Sequence, residues 1–211
     1  MRSLGFLSFL LLFSFALRAQ PKGFKPAANT AALQQGLQRS TAALQSIQAD
    51  FSQTKHLSLL ADKITSKGRF YYRKEDKVRI EYTTPFQYLV VMNGGQMMVK
   101  DEQKSTKVNT RNSKTMQSVN RIMLDCMRGT VFSNPDFKVT AYENGTIYLL
   151  SLAPANDAVK KLFKQIDVYL TRSGFDVARL TMTEQGGDFT DMDFSHTQHN
   201  IALNDALFKV K

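Results

Sequence analysis

Hydrophobic positions recur along this chain with two different periods, and the places where the period changes divide it. Leu33, Leu37, Leu44 and Ile47 share one stripe at helical spacing. They predict a helix over 30–48, capped by Asn29 or Thr30, with Gly36 as an unfavourable interior residue. From Ala49 the period drops to two. Phe51 to His56 and Lys63 to Arg73 read as strands. Val78, Ile80 and Tyr82 alternate with Arg79 and Glu81, as in a sheet with one buried face. Tyr88 to Met92 and Gln96 to Lys100 are apolar runs split by Asn93-Gly94-Gly95, a hairpin signal, and Lys104 to Asn109 reads as a further short strand. Ser113 to Arg128 returns to the helical period, with Met116, Val119, Met123, Cys126 and Met127 on one side and Gly129 as the stop. Strands resume over 137–142, 146–152, 164–171, 175–183 and 188–195, with a short helix over 157–163.

A run of about nine to eleven antiparallel strands joined by short turns has to curl or close. One helix cannot cover the inner face of such a sheet, whereas two can. The pattern therefore predicts an α+β fold: a strongly curved antiparallel sheet, an open half-barrel, with helices forming a lid over a hydrophobic cavity.

The first residues follow neither period. Arg2 precedes an almost wholly apolar run from Leu4 to Leu17, and Ala19 is a small residue before Gln20. This is the pattern of a secretory signal peptide over residues 1–19. The run is short for a membrane span. Residues 20–28, with Pro21, Gly23 and Pro26, read as a flexible leader, and 29–211 as one domain. The chain carries a formal charge of +10, and losing Arg2 and Arg18 with the signal leaves it basic. Cys126, the single cysteine, cannot form an intramolecular disulfide, so an exported chain of this kind relies on its core. In an apolar helical stretch it reads as a small buried hydrophobe.

Catalytic patterns are missing: there is no G-x-S-x-G, no P-loop and no G-x-G-x-x-G. His196 and His199 form H-T-Q-H near Asp191 and Asp193, but read as solvent-facing turn residues rather than metal ligands. Asn144-Gly145-Thr146 is better explained as a hairpin turn than as a glycosylation acceptor. Aromatic and basic residues interleave between Ser66 and Pro85, as in single-strand nucleic-acid platforms. Alternation separates them onto opposite faces, which excludes that reading. The chain has nine Met and no Trp, and Met92, Met97, Met98, Met116, Met123 and Met127 concentrate in one hairpin and the middle helix. Met and Phe walls adapt to irregular apolar ligands.

The stretch Leu44 to Lys100 resembles the periplasmic lipoprotein carriers of the LolA family. The family phrase l-x-s-i-x-a-x-F-x-Q is matched by Leu44-Gln45-Ser46-Ile47-Gln48-Ala49-Asp50-Phe51-Ser52-Gln53. A second phrase, G-x-f-w-y-k-r-P-x-x-f-r-w-x-y-x-x-P, is matched from Gly68 to Pro85, and Asn93-Gly94-Gly95 matches the Gly-rich turn that follows. The family's Arg-Pro pair falls on Lys74-Glu75, with Arg73 one step earlier, and Trp is absent where the family often has it.

The resemblance implies an eleven-stranded half-barrel whose helical lid covers a cavity for acyl chains, in a non-enzymatic, cofactor-free, monomeric protein. It implies a periplasmic chaperone that takes acylated lipoproteins from an inner-membrane ABC transporter and delivers them to the outer membrane, to a receptor there. The alternative is a lipid-binding or envelope-stress sensor domain of the same fold. The expected cavity wall is Phe51, Phe70, Tyr72, Ile80, Tyr82, Leu89, Val91 and Met98, with Met116, Val119 and Met123 from the lid. The resemblance also implies a basic lid latch, carried here by Arg73 or Lys74.

Overall fold

The computed structural model describes residues 20–59, 63–109, 121, 122 and 124–210. The signal-peptide segment 1–19 and the candidate lid residues Met116, Val119 and Met123 lie outside the described residues. A single antiparallel sheet of twelve strands dominates. In chain order these are β1 (Lys25–Pro26), β2 (Ser46–His56), β3 (Lys63–Arg73), β4 (Lys77–Thr84), β5 (Tyr88–Asn93), β6 (Gln96–Lys100) and β7 (Ser105–Asn109). After the helical region follow β8 (Phe137–Glu143), β9 (Ile147–Pro154), β10 (Phe163–Thr171), β11 (Val177–Glu184) and β12 (Phe189–His199). Their spatial order is β1-β8-β9-β10-β11-β12-β2-β3-β4-β5-β6-β7, so the sheet is open, with β1 and β7 at its two ends. Chain reversals within β2–β7 and β8–β12 are local. The long-range steps are β1 pairing with β8 and β12 pairing with β2, the latter joining the two halves.

Helix α1 (Thr30–Ala42) starts at Asn29, whose side chain accepts from the Ala32 N–H at 2.9 Å. It ends at Ala42, six residues short of the expected boundary. Ser46 to Gln48 pair with Tyr71 to Arg73 instead, and this ladder outweighs local helical preference. Gly36 has a packing reason. A Cβ there would lie 2.5 Å from Phe175 Cζ, and Phe175 also stacks on Tyr148. Residues 121, 122 and 124–128 are helical and form the described part of α2; Asp157–Lys160 is the short α3. Gly129, with φ of 70°, turns the chain out of α2 in the left-handed region glycine tolerates.

Both helices pack on one face of the sheet, called here the inner face. Under α1 the core is branched aliphatic: Leu33 and Leu37 meet Ala141, Leu150, Leu152, Ile166, Val168 and Leu170, joined by Ile122 of α2. In the other half the core is Phe51, Phe70, Tyr72, Val78, Met92, Met97 and Met192, met by Leu124 and Met127 of α2.

Three expectations are corrected here. Residues 20–28, expected as a flexible leader, contribute the edge strand β1, which supplies a twelfth strand. The segment is held because the Ala27 N–H donates to Ala141 O at 3.0 Å, Lys25 pairs with Glu143, and the Phe24 ring packs edge-on to Tyr169. His196, within a register irregularity, and His199, just past it, are solvent-exposed as expected but lie at the end of β12 rather than in a turn. Their rings bond Asp50 and Asp176, at 3.0 and 2.8 Å.

The third concerns the outer face of β2–β5, which is covered by the C-terminal tail. Ser46 Oγ donates to Ile201 O at 2.7 Å, Arg73 and Arg79 donate to Leu203 O and Leu207 O, each at 3.2 Å, and Asn93 Nδ2 donates to Phe208 O at 3.0 Å. Phe208 is almost fully buried, and the Arg73 guanidinium lies 5.0 Å from its ring centroid. Arg73 also pairs with Asp205, and that guanidinium holds the Asp205 carboxyl below its ordinary range. Arg73, expected as a lid latch, thus fastens the tail on the face opposite the helices. Lys74 is exposed in the β3–β4 turn, where its backbone N–H donates to Gln45 O at 2.8 Å.

Candidate functional site: the aromatic half of the inner face

Register decides which candidate wall residues share the inner face. Ala49 lies opposite Phe70, Ile47 opposite Tyr72 and Phe51 opposite Gly68. Tyr72 then lies opposite Val78, Phe70 opposite Ile80 and Gly68 opposite Tyr82. Directly opposed residues in an antiparallel pair point the same way. Phe51, Phe70, Tyr72, Ile80 and Tyr82 are therefore neighbours on one surface, as expected.

Leu89, Val91 and Met98 are not. Across β4–β5 the inner residues Val78, Ile80 and Tyr82 oppose Met92, Val90 and Tyr88, which puts Leu89 and Val91 on the outer face opposite Glu81 and Arg79. The two-residue turn Gly94-Gly95 carries this parity into β6, where Met97 and Val99 oppose the inner Met92 and Val90, and Met98 opposes Val91. Val91 is nevertheless fully buried, because the C-terminal tail lies over that side of β5. Leu89 lines an outer groove of about 620 Å³ with Arg79, Glu81 and Lys100. The inner positions that parity reasoning missed are Val90, Met92, Met97 and Val99, together with Leu180, Met192 and Phe194 from β11 and β12. Continuing strict alternation from Tyr82 through Tyr88 was the signal that would have found the first four.

The aromatic rings form two edge-to-face chains. Tyr88 meets Tyr82 with centroids 5.7 Å apart, and Tyr82 meets Phe51 at 5.0 Å. Phe70 meets Phe194 at 5.7 Å. These geometries suit the ring quadrupoles. Phe51 can lie across β3 only because residue 68 is glycine: a Cβ there would fall 2.0 Å from Glu81 O and 2.8 Å from Phe51 Cζ. The Tyr82 hydroxyl donates to Gln53 Oε1 at 2.9 Å, so its buried oxygen is partnered. Burial pushes the Tyr82 phenol above its ordinary pKa. Burial does the same for Tyr72, opposed by the nearby Arg128 guanidinium.

Helix α2 crosses onto this half with Leu124 and Met127 beneath it. Its described residues are held on two sides. Asp125 accepts from Thr130 Oγ1 and Asn134 Nδ2, both at 2.7 Å, and Arg121 pairs with Asp136 at 3.5 Å. These bonds fasten α2 to the segment leading into β8. Toward the aromatic half, among the described residues, Arg128 forms a part-exposed ion pair with Asp76 in the β3–β4 turn and interacts with the Tyr72 hydroxyl. The tie between helix and turn thus has its cation on the helix and its carboxylate on the turn, the reverse of the expected polarity. Glu75 and Asp76 both have positive φ, a conformation that places the turn. Burial pushes the Cys126 thiol up to about 12, with Asp125 adding to the shift, so it stays protonated and unreactive as a nucleophile. Among the described residues no group of three or more His, Cys, Asp or Glu is placed to hold a metal ion. Among them, too, no helix is long and apolar enough to cross a membrane.

Solved structures of similar fold include a LolA superfamily protein from Nitrosomonas europaea, at 12% identity and a TM-score of 0.47, covering 83% of this chain and 96% of that one. An uncharacterised conserved protein from Thermus thermophilus is similar at 8% identity and a TM-score of 0.51, covering 87% and 95%. Lipoprotein LppX of Mycobacterium tuberculosis is similar at 14% identity and a TM-score of 0.43, covering 83% and 99%. No curated protein matches the sequence. The model of the outer membrane lipoprotein carrier protein LolA matches residues 42–211, which contain all of the strands from β2 to β12 and the aromatic half of the inner face, and the chain belongs to that family.

Proposed function

We propose that the protein is a periplasmic, non-enzymatic carrier that holds the acyl chains of lipoproteins against the aromatic half of the inner face. It moves them from an inner-membrane ABC transporter to the outer membrane. The observation that supports this most is the contrast within one sheet: a half lined by Phe, Tyr and Met, met among the described residues by Leu124 and Met127 of α2 and by the part-exposed Arg128–Asp76 pair. The proposed wall is Phe51, Phe70, Tyr72, Ile80 and Tyr82, with Val90, Met92, Met192 and Phe194 added. Met116, Val119 and Met123 remain proposed as its cover. Arg128–Asp76 takes the latch role in place of Arg73 or Lys74.

The energetics favour such a surface. Moving one acyl chain of about sixteen carbons into water costs roughly 12 kcal/mol at ~0.8 kcal/mol per CH₂. A carrier has to offset most of that without trapping the chain, and flexible Met and planar aromatic walls re-pack around it at little strain. An ion pair in water contributes about 0.2–1 kcal/mol, so the Arg128–Asp76 tie opens at little cost.

The test is binding of a fluorescent fatty acid, expected at about one per chain, together with mass spectrometry of lipid recovered from protein purified out of a periplasm. Phe194→Asp puts a carboxylate beside Phe70 and should weaken binding at least about tenfold while circular dichroism stays unchanged. Undiminished binding by a folded Phe194→Asp protein would remove this surface as the acyl site.

A further inference from the structure

Alternate strand ends of the β11–β7 half converge on one end of the sheet, opposite the Arg128–Asp76 pair. That end carries residues 57–59 and the connections 85–87, 101–104 and 185–188. Four large apolar side chains are exposed in the described structure, and all four lie there: Leu59, Ile64, Phe86 and Tyr88, at 95%, 51%, 73% and 39% exposure. Burial drives protein folding, so such a grouping in solvent calls for a partner. The grouping is continuous with the site already described. Tyr88 shares the inner face and begins the ring chain Tyr88–Tyr82–Phe51, and Ile64 follows Phe70 and Gly68 along the inner side of β3.

The charges at this end carry a small positive excess: Lys55, Lys63, Lys67, Lys100 and Lys104 stand against Asp101, Glu102, Glu184 and Asp188. Lys63 and Lys67 flank Ile64, and Lys100 and Lys104 flank the β6–β7 connection. None of these four has an ion-pair partner among the described residues. The carboxylates nearby are mostly engaged. Asp101 Oδ1 accepts the backbone N–H groups of Gln103 and Lys104, each at 2.8 Å. Asp188 accepts from the Ser58 N–H and hydroxyl, and Glu184 pairs with Lys55 at 3.3 Å. Glu102 is the one untied carboxylate among the described residues of this end.

We propose that this rim docks on an anionic phospholipid bilayer, with Phe86 and Leu59 entering the interface and Lys63, Lys67, Lys100 and Lys104 contacting lipid phosphates. The chemistry favours a bilayer over a protein partner. Leu59 and Phe86 sit singly in connections, with Ile64 and Tyr88 at the adjoining strand ends and lysines nearby, and lysine stems can lie along an apolar boundary while the ammonium reaches phosphate. Tyr88, apolar in its ring and polar at its hydroxyl, stands at the boundary depth where such residues are at home. The inference rests on the carrier reading for its purpose, because it would open the inner face directly onto lipid, but it fails or succeeds separately.

The chain contains no Trp, so a single introduced indole reports unambiguously. Phe86→Trp fluorescence should shift to the blue on adding vesicles of equal parts phosphatidylglycerol and phosphatidylcholine. The shift should shrink with pure phosphatidylcholine and with added salt. Gly145→Trp, in an open turn at the opposite end of the sheet, should not shift. The double change Lys63→Glu with Lys67→Glu should weaken vesicle binding at least about tenfold. The inference is overturned by no shift at Phe86→Trp, by a shift at Gly145→Trp instead, or by undiminished binding of the double variant. A blue shift that appears on concentrating the protein without vesicles would mean that a second copy covers the rim, and also overturns it. Phe86→Ser in vesicle-free buffer should still bind fluorescent fatty acid. Absence of vesicle docking by the unaltered protein with acyl binding intact rejects the rim alone, and vesicle docking without acyl binding rejects the carrier reading alone.

Discussion

The two halves of the inner face are built from different side chains and held by different means. Beneath α1 the sheet offers Leu150, Leu152, Val168 and Leu170, each at most 1% exposed, and the helix answers with Leu33 and Leu37. Branched aliphatics at this density leave no room for a guest. Across β2–β6 the surface is Phe, Tyr and Met, and its margin of Ile80, Tyr82, Val90, Val99 and Phe194 is only partly buried. Among the described residues, Leu124 and Met127 of α2 meet it, and the Arg128–Asp76 pair ties the helix there. The first half is a foundation, and the second is a surface with cohesion to spare for something else.

That contrast can be broken experimentally. The largest effect should come from Leu152→Ala in the aliphatic half. It removes buried methyl groups from a site closed on all sides and should cost about 2–5 kcal/mol in denaturant unfolding, with no recovery on adding fatty acid. If ligand restored that loss, the two halves would not be separate. Gly68→Val should come next. Its Cβ collides with the Glu81 carbonyl and with Phe51, and overpacking of this kind costs about 1–3 kcal/mol. Acyl binding should fall with it, because Phe51 has to move; intact binding would show that Phe51 is not part of the wall. The smallest effect on stability should come from Arg128→Ala, at about 0.2–1 kcal/mol. Its larger signature should be faster release of a fluorescent fatty acid in stopped flow. Unchanged release would return the latch role to other contacts of α2.

How far the sequence reads is clearest strand by strand. Tyr72, Val78, Ile80 and Tyr82 could be assigned to one face because alternation there is strict and their opposite neighbours are charged. Leu89 and Val91 could not, because β5 is apolar on both sides. One side meets the inner cluster and the other meets a tail whose Phe208 comes 117 residues after Val91 in the chain. A two-residue turn then carried the same error into Met98. Arg73 was legible as an important cation but not as a clamp on Phe208, since nothing local indicates which face will be covered. Gly36, expected as a cost to its helix, is where Phe175 packs, and Gly68 is where Phe51 packs.

What the sequence determined by itself was the succession of periods, and with it an antiparallel sheet, two helices set against one face, and a Phe–Tyr–Met surface in one half. These follow from near neighbours in the chain, where spacing alone decides which side chains share a face. Only the tertiary structure decided the parity of β5 and β6, the covering of the outer face by the C-terminal tail, and the Arg128–Asp76 tie with its polarity reversed. Those depend on contacts between distant segments, where apolar area is buried by whichever surface arrives, and no local pattern specifies the partner.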